Sequence, residues 1–187
     1  MIALTTAYGL TREPFSQDVP VDRLFTLPGL PAFFERFDYA LRLGATTVIT
    51  GEVGSGKSTS LRAAAARLHP SQYTVLGVIA TTASTIELLR QICLALAVEP
   101  RANSQAMLLH TIREVLAGLA AKKQLPLLII DEAHLMRLEL FATFHTVTQL
   151  PYDQNTLMPM VSSGQSTLLD RLMHHPKIPE RLYLHRR

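Results

Sequence analysis

The sequence predicts an α/β fold, a three-layer α/β/α sandwich in which helices cover both faces of a parallel sheet. Short β-branched and apolar runs alternate along the chain with longer segments of helical periodicity. The runs are apolar throughout, as strands buried on both faces are. Right-handed crossovers between such strands produce a doubly wound sheet, and its ligand is expected beyond the carboxyl ends of the strands.

Residues 1–45 are expected to form a lead-in that packs on a core made of residues 46–187. The first 33 residues are rich in turn formers and predict irregular chain with short pieces of structure. A helix is expected at residues 33–43, with Gly44 as its stop. Its apolar side consists of Phe33, Phe37, Ala40 and Leu41.

The core opens with a β-branched run, residues 46–50, that predicts a buried strand. A helix follows the Gly-rich turn as far as Leu68, and residues 73–80 predict the second strand. Ser84 with Glu87 three residues later forms a capping box that opens the next helix. The apolar positions of that helix are Leu88, Leu89, Ile92, Cys93 and Leu96.

The second half of the chain continues the alternation of helices and strands. Residues 127–130 predict the third strand, residues 135–150 a helix, residues 157–162 the fourth strand and residues 165–173 the last helix. Before them, an amphipathic helix is expected to begin near Ser104. Its apolar stripe consists of Leu108, Ile112, Val115, Leu116 and Leu119.

The composition indicates one folded domain. The chain has 187 residues, of which 48% are hydrophobic, enough for a sizeable core. Its single cysteine, Cys93, excludes an internal disulfide and is expected to be a buried small hydrophobe. The first residues do not resemble a signal peptide, and no apolar run approaches the roughly 20 residues that span a bilayer. We therefore expect a cytoplasmic chain that makes no contact with a membrane.

The charge is mildly basic and is only a hint of nucleic-acid binding. The net charge is +3 and the isoelectric point is near 9.2. A solvated terminal segment explains the excess equally well. The basic residues near the end of the chain are Arg171, Lys177, Arg181, Arg186 and Arg187.

The segment between the first strand and the following helix matches the phosphate-loop pattern G-x-x-x-x-G-K-[ST]. Its glycines permit positive φ and allow backbone N–H groups to curl around an anion, and the helix that starts there adds its positive dipole end. Lys57 is expected to reach the β- and γ-phosphates of a nucleotide, and Ser58 to ligate Mg²⁺. The expected nucleotide-binding residues are Gly51, Glu52, Val53, Gly54, Ser55, Gly56, Lys57, Ser58 and Thr59.

Two carboxylates, Asp131 and Glu132, come directly after the apolar strand at residues 127–130. At that edge of the sheet, Asp131 can hold magnesium through water, and Glu132 can orient and deprotonate an attacking water. The same pair is commonly the N-cap and first-turn charge of a helix, but the phosphate loop favours the catalytic role. A nucleotide kinase needs no water-activating glutamate, so Glu132 favours hydrolysis.

A polar residue at the end of the fourth strand is expected close to the γ-phosphate. Gln165 is the preferred candidate and Ser163 the second, while a simple turn and N-cap is the alternative. His134 is expected to cap a helix start, and a relay of nucleotide state is its alternative role. Residues 162–166 loosely resemble the signature loop of ABC transporters, but in that family the loop precedes the acidic strand, so this assignment fails.

With these motifs placed, the chain resembles the ExeA/TniB-type branch of the AAA+ P-loop ATPases. The segment Tyr8-Gly9-Leu10-Thr11-Arg12-Glu13-Pro14-Phe15 resembles the F-G-L-x-x-x-P-F opening of that branch, and residues 51–59 resemble its phosphate loop with its Gly-Glu start. The pair of helices before the third strand, residues 130–135, and Gly164-Gln165 with the helix after it also fit. The resemblance implies that Gln165 or Ser163 is the first sensor.

Members of this branch divide into two kinds. Some are cytoplasmic partners of transposases that bind DNA, assemble with ATP and direct target choice. Others energise assembly of a type II secretion channel and carry a transmembrane helix and a wall-binding domain, neither of which is seen in this sequence. The resemblance therefore implies an accessory ATPase of transposition with ATP, Mg²⁺, duplex DNA, a transposase or other protein, and further copies of itself as partners. Secretion assembly, or a binding switch with little turnover, is the alternative.

The family pattern continues past Arg181 into a fifth strand and then a helical lid, whereas this sequence ends at Arg187. We therefore expect the lid to be absent, together with the second sensor and part of the adenine pocket. Arg181 aligns with an arginine near the family's subunit boundary, so it is either an arginine finger or a surface residue. No guanine-reading N-K-x-D motif is present in the sequence, which favours ATP over GTP.

Overall fold

A five-stranded sheet forms the centre of the computed structural model, which describes residues 4–11, 16, 19–82, 84–101, 103–148, 158–174 and 183–186. The strands are β1 (Thr46–Thr50), β2 (Tyr73–Ile79), β3 (Leu125–Asp131), β4 (Met160–Gly164) and β5 (Tyr183–Arg186). Their spatial order is β2-β3-β4-β1-β5, and every neighbouring pair is parallel. The predicted parallel sheet is confirmed.

Seven α-helices and two short 3-10 turns surround the sheet in the described part of the chain. The helices are α1 (Leu4–Tyr8), α2 (Leu30–Arg42), α3 (Lys57–Ala66), α4 (Thr85–Ala95), α5 (Gln105–Ala121), α6 (Leu138–Thr148) and α7 (Ser166–Met173). The 3-10 turns are Val21–Arg23 and Ala133–Leu135. Among the helices so described, none combines the length and apolarity needed to cross a bilayer.

The helices lie on both faces of the sheet, as a doubly wound fold requires. Successive strand residues point to opposite faces, so Ile49 and Leu127 pack under α2 and α3, while Val48 and Leu128 pack under α4 to α7. Cys93 belongs to the second of these clusters, is fully buried as predicted, and burial raises the pKa of its thiol. The three-layer α/β/α sandwich is therefore confirmed.

The two helices between β2 and β3 begin where the sequence predicted them, each with a serine as its N-cap. The Ser84 hydroxyl accepts a hydrogen bond from the Glu87 amide at 3.4 Å, and the Ser104 hydroxyl accepts one from the Met107 amide at 3.2 Å. Each bond satisfies an amide that the first helical turn leaves without a partner. Helix α2 begins three residues earlier than expected, at Leu30, because a proline is well tolerated in the first turn of a helix.

The helix expected at residues 135–150 is wrong at its start. Glu132 adopts left-handed backbone angles, a 3-10 turn occupies Ala133–Leu135, and α6 begins only at Leu138. The side chains of Ala133 and Met136 are buried, so this turn packs into the core and the chain changes direction before the helix starts. Residues 149–150 lie outside the described residues.

The last two strands also differ from the sequence prediction. β4 runs to Gly164, where it still pairs with Thr50, instead of ending at residue 162. Pro159, which has no N–H to donate, lies just before the strand. Tyr183–Arg186 forms β5 and pairs with β1, so the sheet has one strand more than the four that the sequence pattern predicted. Arg181 and Lys177, like residues 12–15 of the lead-in, lie outside the described residues.

Candidate functional site

The loop between β1 and α3 is shaped by glycines. Gly54 and Gly56 have φ of 78° and 80°, a left-handed backbone that side chains rarely adopt. A Cβ on Gly51 would lie 2.9 Å from the Ser55 hydroxyl, which would have to turn away to make room for it. The Ser55 amide donates to the Glu52 carbonyl at 3.2 Å and completes the turn. These residues form the cradle expected of a phosphate loop.

Lys57, the first residue of α3, points back across this loop. Its Nζ donates hydrogen bonds to the carbonyls of Gly51 at 3.0 Å and Glu52 at 2.8 Å. The ammonium is thereby held at the start of the loop, beside the N-terminus of α3. A positive charge and a helix N-terminus at one place favour a polyanion such as a triphosphate.

Asp131 ends β3 and accepts hydrogen bonds from three directions. Its Oδ2 accepts from the Ser58 hydroxyl at 2.6 Å, and its Oδ1 accepts from the Ser163 hydroxyl and from the Glu132 amide, the latter at 2.9 Å. Burial by itself raises the pKa of Asp131, but these hydrogen bonds and the charge of Lys57 outweigh it, so the pKa lies below its ordinary value. Asp131 is therefore an anion at neutral pH.

The side-chain oxygens of Ser58 and Asp131 are suitable ligands for a magnesium ion. They come from two different elements, α3 and β3, and meet at the edge of the sheet beside the loop. Hydroxyl, carboxylate and phosphate oxygens are the ligands that Mg²⁺ prefers. Within the described ranges, no cluster of three or more His, Cys, Asp or Glu residues could hold a metal by itself. The pair thus fits an ion that is shared with a bound nucleotide.

Glu132 projects from the turn directly after Asp131 and is half exposed. Its φ of 53° is left-handed, which is uncommon for a residue other than glycine. Its Oε2 lies 3.3 Å from Nδ1 of His134, close enough for an ion pair but not aligned for a hydrogen bond. The two residues are therefore neighbours, and His134 lies in the 3-10 turn that follows and not at the start of a long helix.

The two sensor candidates occupy different places at the end of β4. Ser163 is fully buried in the sheet and donates to Asp131. Gln165 follows the strand as the N-cap of α7, without a side-chain capping bond. Its backbone carbonyl accepts from the Leu168 amide at 3.0 Å. The catalytic role of either residue stays a prediction, and Ser163 is the one that contacts the acidic site.

Three residues for which the sequence predicted no role in the site connect its loops. The Ser166 hydroxyl donates to Glu52 Oε1 at 3.2 Å, so α7 contacts the phosphate loop. The Gly51 amide donates to the Gly164 carbonyl at 3.3 Å. Arg171 donates to carbonyls in the turn after Glu132. The sequence carries no periodic or motif signal for these contacts, because they depend on which strands are neighbours.

A groove of about 590 Å³ opens beside the start of α3. It lies between that helix and the lead-in, which Arg62 fastens by donating to the Val19 carbonyl at 2.9 Å. Its size is within the range of small-molecule sites. The lining residues are Ser16, Val19, Leu24, Ser58, Thr59 and Arg62.

Replacing Gly164 by alanine is expected to destabilise the fold. A Cβ there would lie 2.9 Å from Leu168, 3.0 Å from the His134 amide nitrogen and 3.3 Å from the His134 Cβ, and the main chain of the turn cannot move away cheaply. Overpacking of this kind costs about 1–3 kcal/mol, which denaturant unfolding would detect. Gly118→Ala is the matched control: its Cβ meets nothing within 4 Å inside α5, so it should be neutral or stabilising by up to about 1 kcal/mol. Equal midpoints for the two variants would contradict the close contact.

Several solved structures share the fold of this chain. Cdc6p from Pyrobaculum aerophilum matches with a TM-score of 0.61 and 14% identity, over 86% of this chain and 46% of that one. The ORC1 protein of Aeropyrum pernix in complex with DNA matches with a TM-score of 0.62 and 16% identity, over 85% and 45%. The ORC2 protein of the same organism, in ADPNP and ADP complexes, matches with a TM-score of 0.61 and 16% identity, over 89% of this chain and 50% of that one. The chain spans about half the length of these proteins.

A family model described as an AAA domain matches residues 42–172, which include the phosphate loop, the acidic strand and most of α7. No curated protein matches the chain. The family implies nucleotide binding. Because the match covers well over half of the sequence, the chain belongs to the AAA domain family of P-loop proteins.

Proposed function

We propose that this chain binds ATP with Mg²⁺ and hydrolyses it, as an accessory ATPase of the ExeA/TniB type that acts on duplex DNA together with a transposase. The observation that carries the chemical part is the meeting of Lys57, Ser58 and Asp131 at one edge of the sheet, with Glu132 next in the chain. The biological part rests on the resemblance of the motifs and on the charge of the chain.

In this proposal each residue has one task. The backbone amides of residues 51–57 and the Lys57 ammonium bind the phosphates, and the nucleoside lies in the groove beside Thr59. Ser58 and Asp131 hold the magnesium ion, which when bound withdraws charge from the phosphate oxygens. Ser163 keeps the Asp131 carboxylate oriented by its hydrogen bond. Glu132 accepts a proton from the water that attacks the γ-phosphate.

Three observations support DNA as the macromolecular partner. The net charge is +3, with an isoelectric point near 9.2. Two proteins of the same fold, the Aeropyrum pernix ORC1 protein and Drosophila ORC, were solved with DNA bound. The branch that the motifs resemble includes DNA-binding partners of transposases. We further propose that ATP binding assembles several copies of the chain on the DNA.

ATP-dependent retention of duplex DNA tests this proposal. We expect the chain to bind DNA more tightly with ATP and Mg²⁺ than without nucleotide, and the affinity to fall about 10³-fold or more between 50 and 200 mM salt if six or more phosphates are contacted. Fluorescence anisotropy of a labelled duplex, carried out on the full gene product, would measure both effects. If the protein hydrolysed ATP but bound no DNA at low salt, the proposed ATPase activity would stand and the proposed DNA partner would be wrong.

A further inference from the structure

The turn after Asp131 holds its backbone in an unfavourable conformation. Glu132 has φ 53° and ψ 31°, the left-handed region, in which an L side chain with a Cβ is disfavoured. Such a conformation persists only where the surrounding structure holds it. The placement of the Glu132 carboxylate therefore depends on whatever fixes residues 133–136.

The turn supplies part of this support itself. The Leu135 amide donates to the Glu132 carbonyl at 2.9 Å, and the Met136 amide donates to the Ala133 carbonyl at 3.1 Å. The carbonyls of His134 and Met136 are not used by these two bonds. Both accept hydrogen bonds from one side chain of a different element, Arg171 of α7.

The guanidinium of Arg171 bridges the two carbonyls. One terminal nitrogen donates to the His134 carbonyl at 2.6 Å, and the other donates to the Met136 carbonyl at 3.1 Å. Two donors on a rigid planar group fix both the distance and the direction of the turn, which a single flexible donor does not. The fork thus clamps the turn to α7 in one orientation.

The start of α7 is fastened to the other loop of the site. Ser166, its first residue, donates to Glu52 in the phosphate loop. Just before the helix, the Gly164 carbonyl accepts from the Gly51 amide, and the Gly164 Cα lies so close to His134 that a Cβ would meet its backbone nitrogen at 3.0 Å. Helix α7 therefore contacts the phosphate loop through Ser166 at its N-terminal end, and the turn at residues 133–136 through Arg171.

We propose that Arg171 is a positioning residue that clamps the turn at residues 133–136 onto α7 and so places Glu132 for the reaction. The inference rests on the proposed function, since it assigns to Glu132 the role of accepting the proton of the attacking water. Arg171 itself does not touch the Asp131 and Ser58 oxygens; it acts through the backbone of the turn. The effect of losing it should therefore appear in turnover and not in nucleotide affinity.

The test compares Arg171→Ala and Arg171→Lys with Arg137→Ala in the full chain. Arg137 is an exposed arginine next to the same turn, so its removal changes the local charge without removing the clamp. We expect Arg171→Ala to lower single-turnover ATP hydrolysis by about 10-fold to 100-fold, the loss typical of a slightly misplaced catalytic group. The affinity for a fluorescent ATP analogue should change less than about threefold, and Arg137→Ala should match the wild type on both measures.

Two further readouts separate positioning from a general structural role. In a Glu132→Gln background, Arg171→Ala should cause no additional loss of turnover, because both changes remove the same contribution. Amide hydrogen exchange over residues 132–136 should accelerate by at least about fivefold in Arg171→Ala and not in Arg137→Ala. The exchange measurement needs no nucleotide, so it tests the clamp itself even where turnover is low.

The outcomes are distinguishable. The positioning role would be overturned if Arg171→Ala hydrolysed ATP within twofold of the wild-type rate, or if its amide exchange in the turn were unchanged. Either result would leave the proposed ATPase standing. Equal behaviour of Arg171→Lys and wild type would also overturn it, since it would show that only a positive charge at the C-terminal end of α7 matters. A wild type that binds ATP but never hydrolyses it would overturn the proposed hydrolysis, and the role of Arg171 with it.

Discussion

Replacing Lys57 by alanine is expected to weaken ATP binding by about 100-fold or more while leaving the protein folded. The Lys57 ammonium lies across the glycine loop, on the carbonyls of Gly51 and Glu52, at the N-terminus of α3. Hydrogen bonds to charged groups contribute about 1.5–3 kcal/mol each, so the loss of those that it would make with phosphates lowers affinity by one to several powers of ten. Isothermal calorimetry with ATP and Mg²⁺ measures this loss.

Lys122→Ala is the matched control for that experiment. Lys122 is an exposed lysine just after α5, at the amino-terminal edge of the sheet and away from the phosphate loop. Its removal lowers the net charge by the same amount, so a general electrostatic effect on a polyanion would appear in both variants. If the affinity of Lys57→Ala for ATP were within about threefold of that of Lys122→Ala, Lys57 would not contribute to ATP binding at the phosphate loop.

The second large effect is expected from Glu132→Gln. Glutamine keeps the size of the side chain but cannot accept a proton, so hydrolysis in a single turnover should fall by about 100-fold or more. Binding of ATP should remain within about threefold of wild type, because Glu132 does not contact the phosphate loop. Rapid quench of radiolabelled ATP, with enzyme in excess, separates the chemical step from product release.

Glu139→Gln provides the comparison. Glu139 lies in the first turn of α6, is exposed, and carries the same charge a few residues further along the chain. We expect its turnover to equal that of the wild type. If both glutamine variants hydrolyse ATP at the wild-type rate, the base is another group, and the exposed Glu132 is only a surface residue of the turn.

The elements that the sequence predicted well are those defined by local pattern. The β-branched run before Gly51, the glycine loop and the helix after it were placed correctly because each has a distinctive composition. Asp131 was placed at the rim because an apolar strand leads into it. Ser58 and Asp131 were both expected to hold magnesium, which requires them to be neighbours, and the hydrogen bond of 2.6 Å between them agrees with this.

The elements that the sequence predicted poorly are those decided by packing. Nothing in the segment Asp131-Glu132-Ala133 indicates a left-handed glutamate, since this conformation is rare for the residue and depends on the contacts of the turn. β5 has only Tyr183 and Leu184 as apolar residues, so its pairing with β1 leaves almost no pattern. The contacts of Ser166 and Arg171 required knowing that β4 lies between β1 and β3.

The most direct test is a crystal structure with a non-hydrolysable ATP analogue and Mn²⁺ in place of Mg²⁺. We predict that the phosphates lie inside the loop at residues 51–57, in contact with Lys57. A single anomalous peak should lie in contact with the Ser58 hydroxyl, on the side that faces Asp131. A triphosphate bound elsewhere, or a metal peak remote from Ser58 with the glycine loop empty, would contradict the assignment of this edge of the sheet as the nucleotide site.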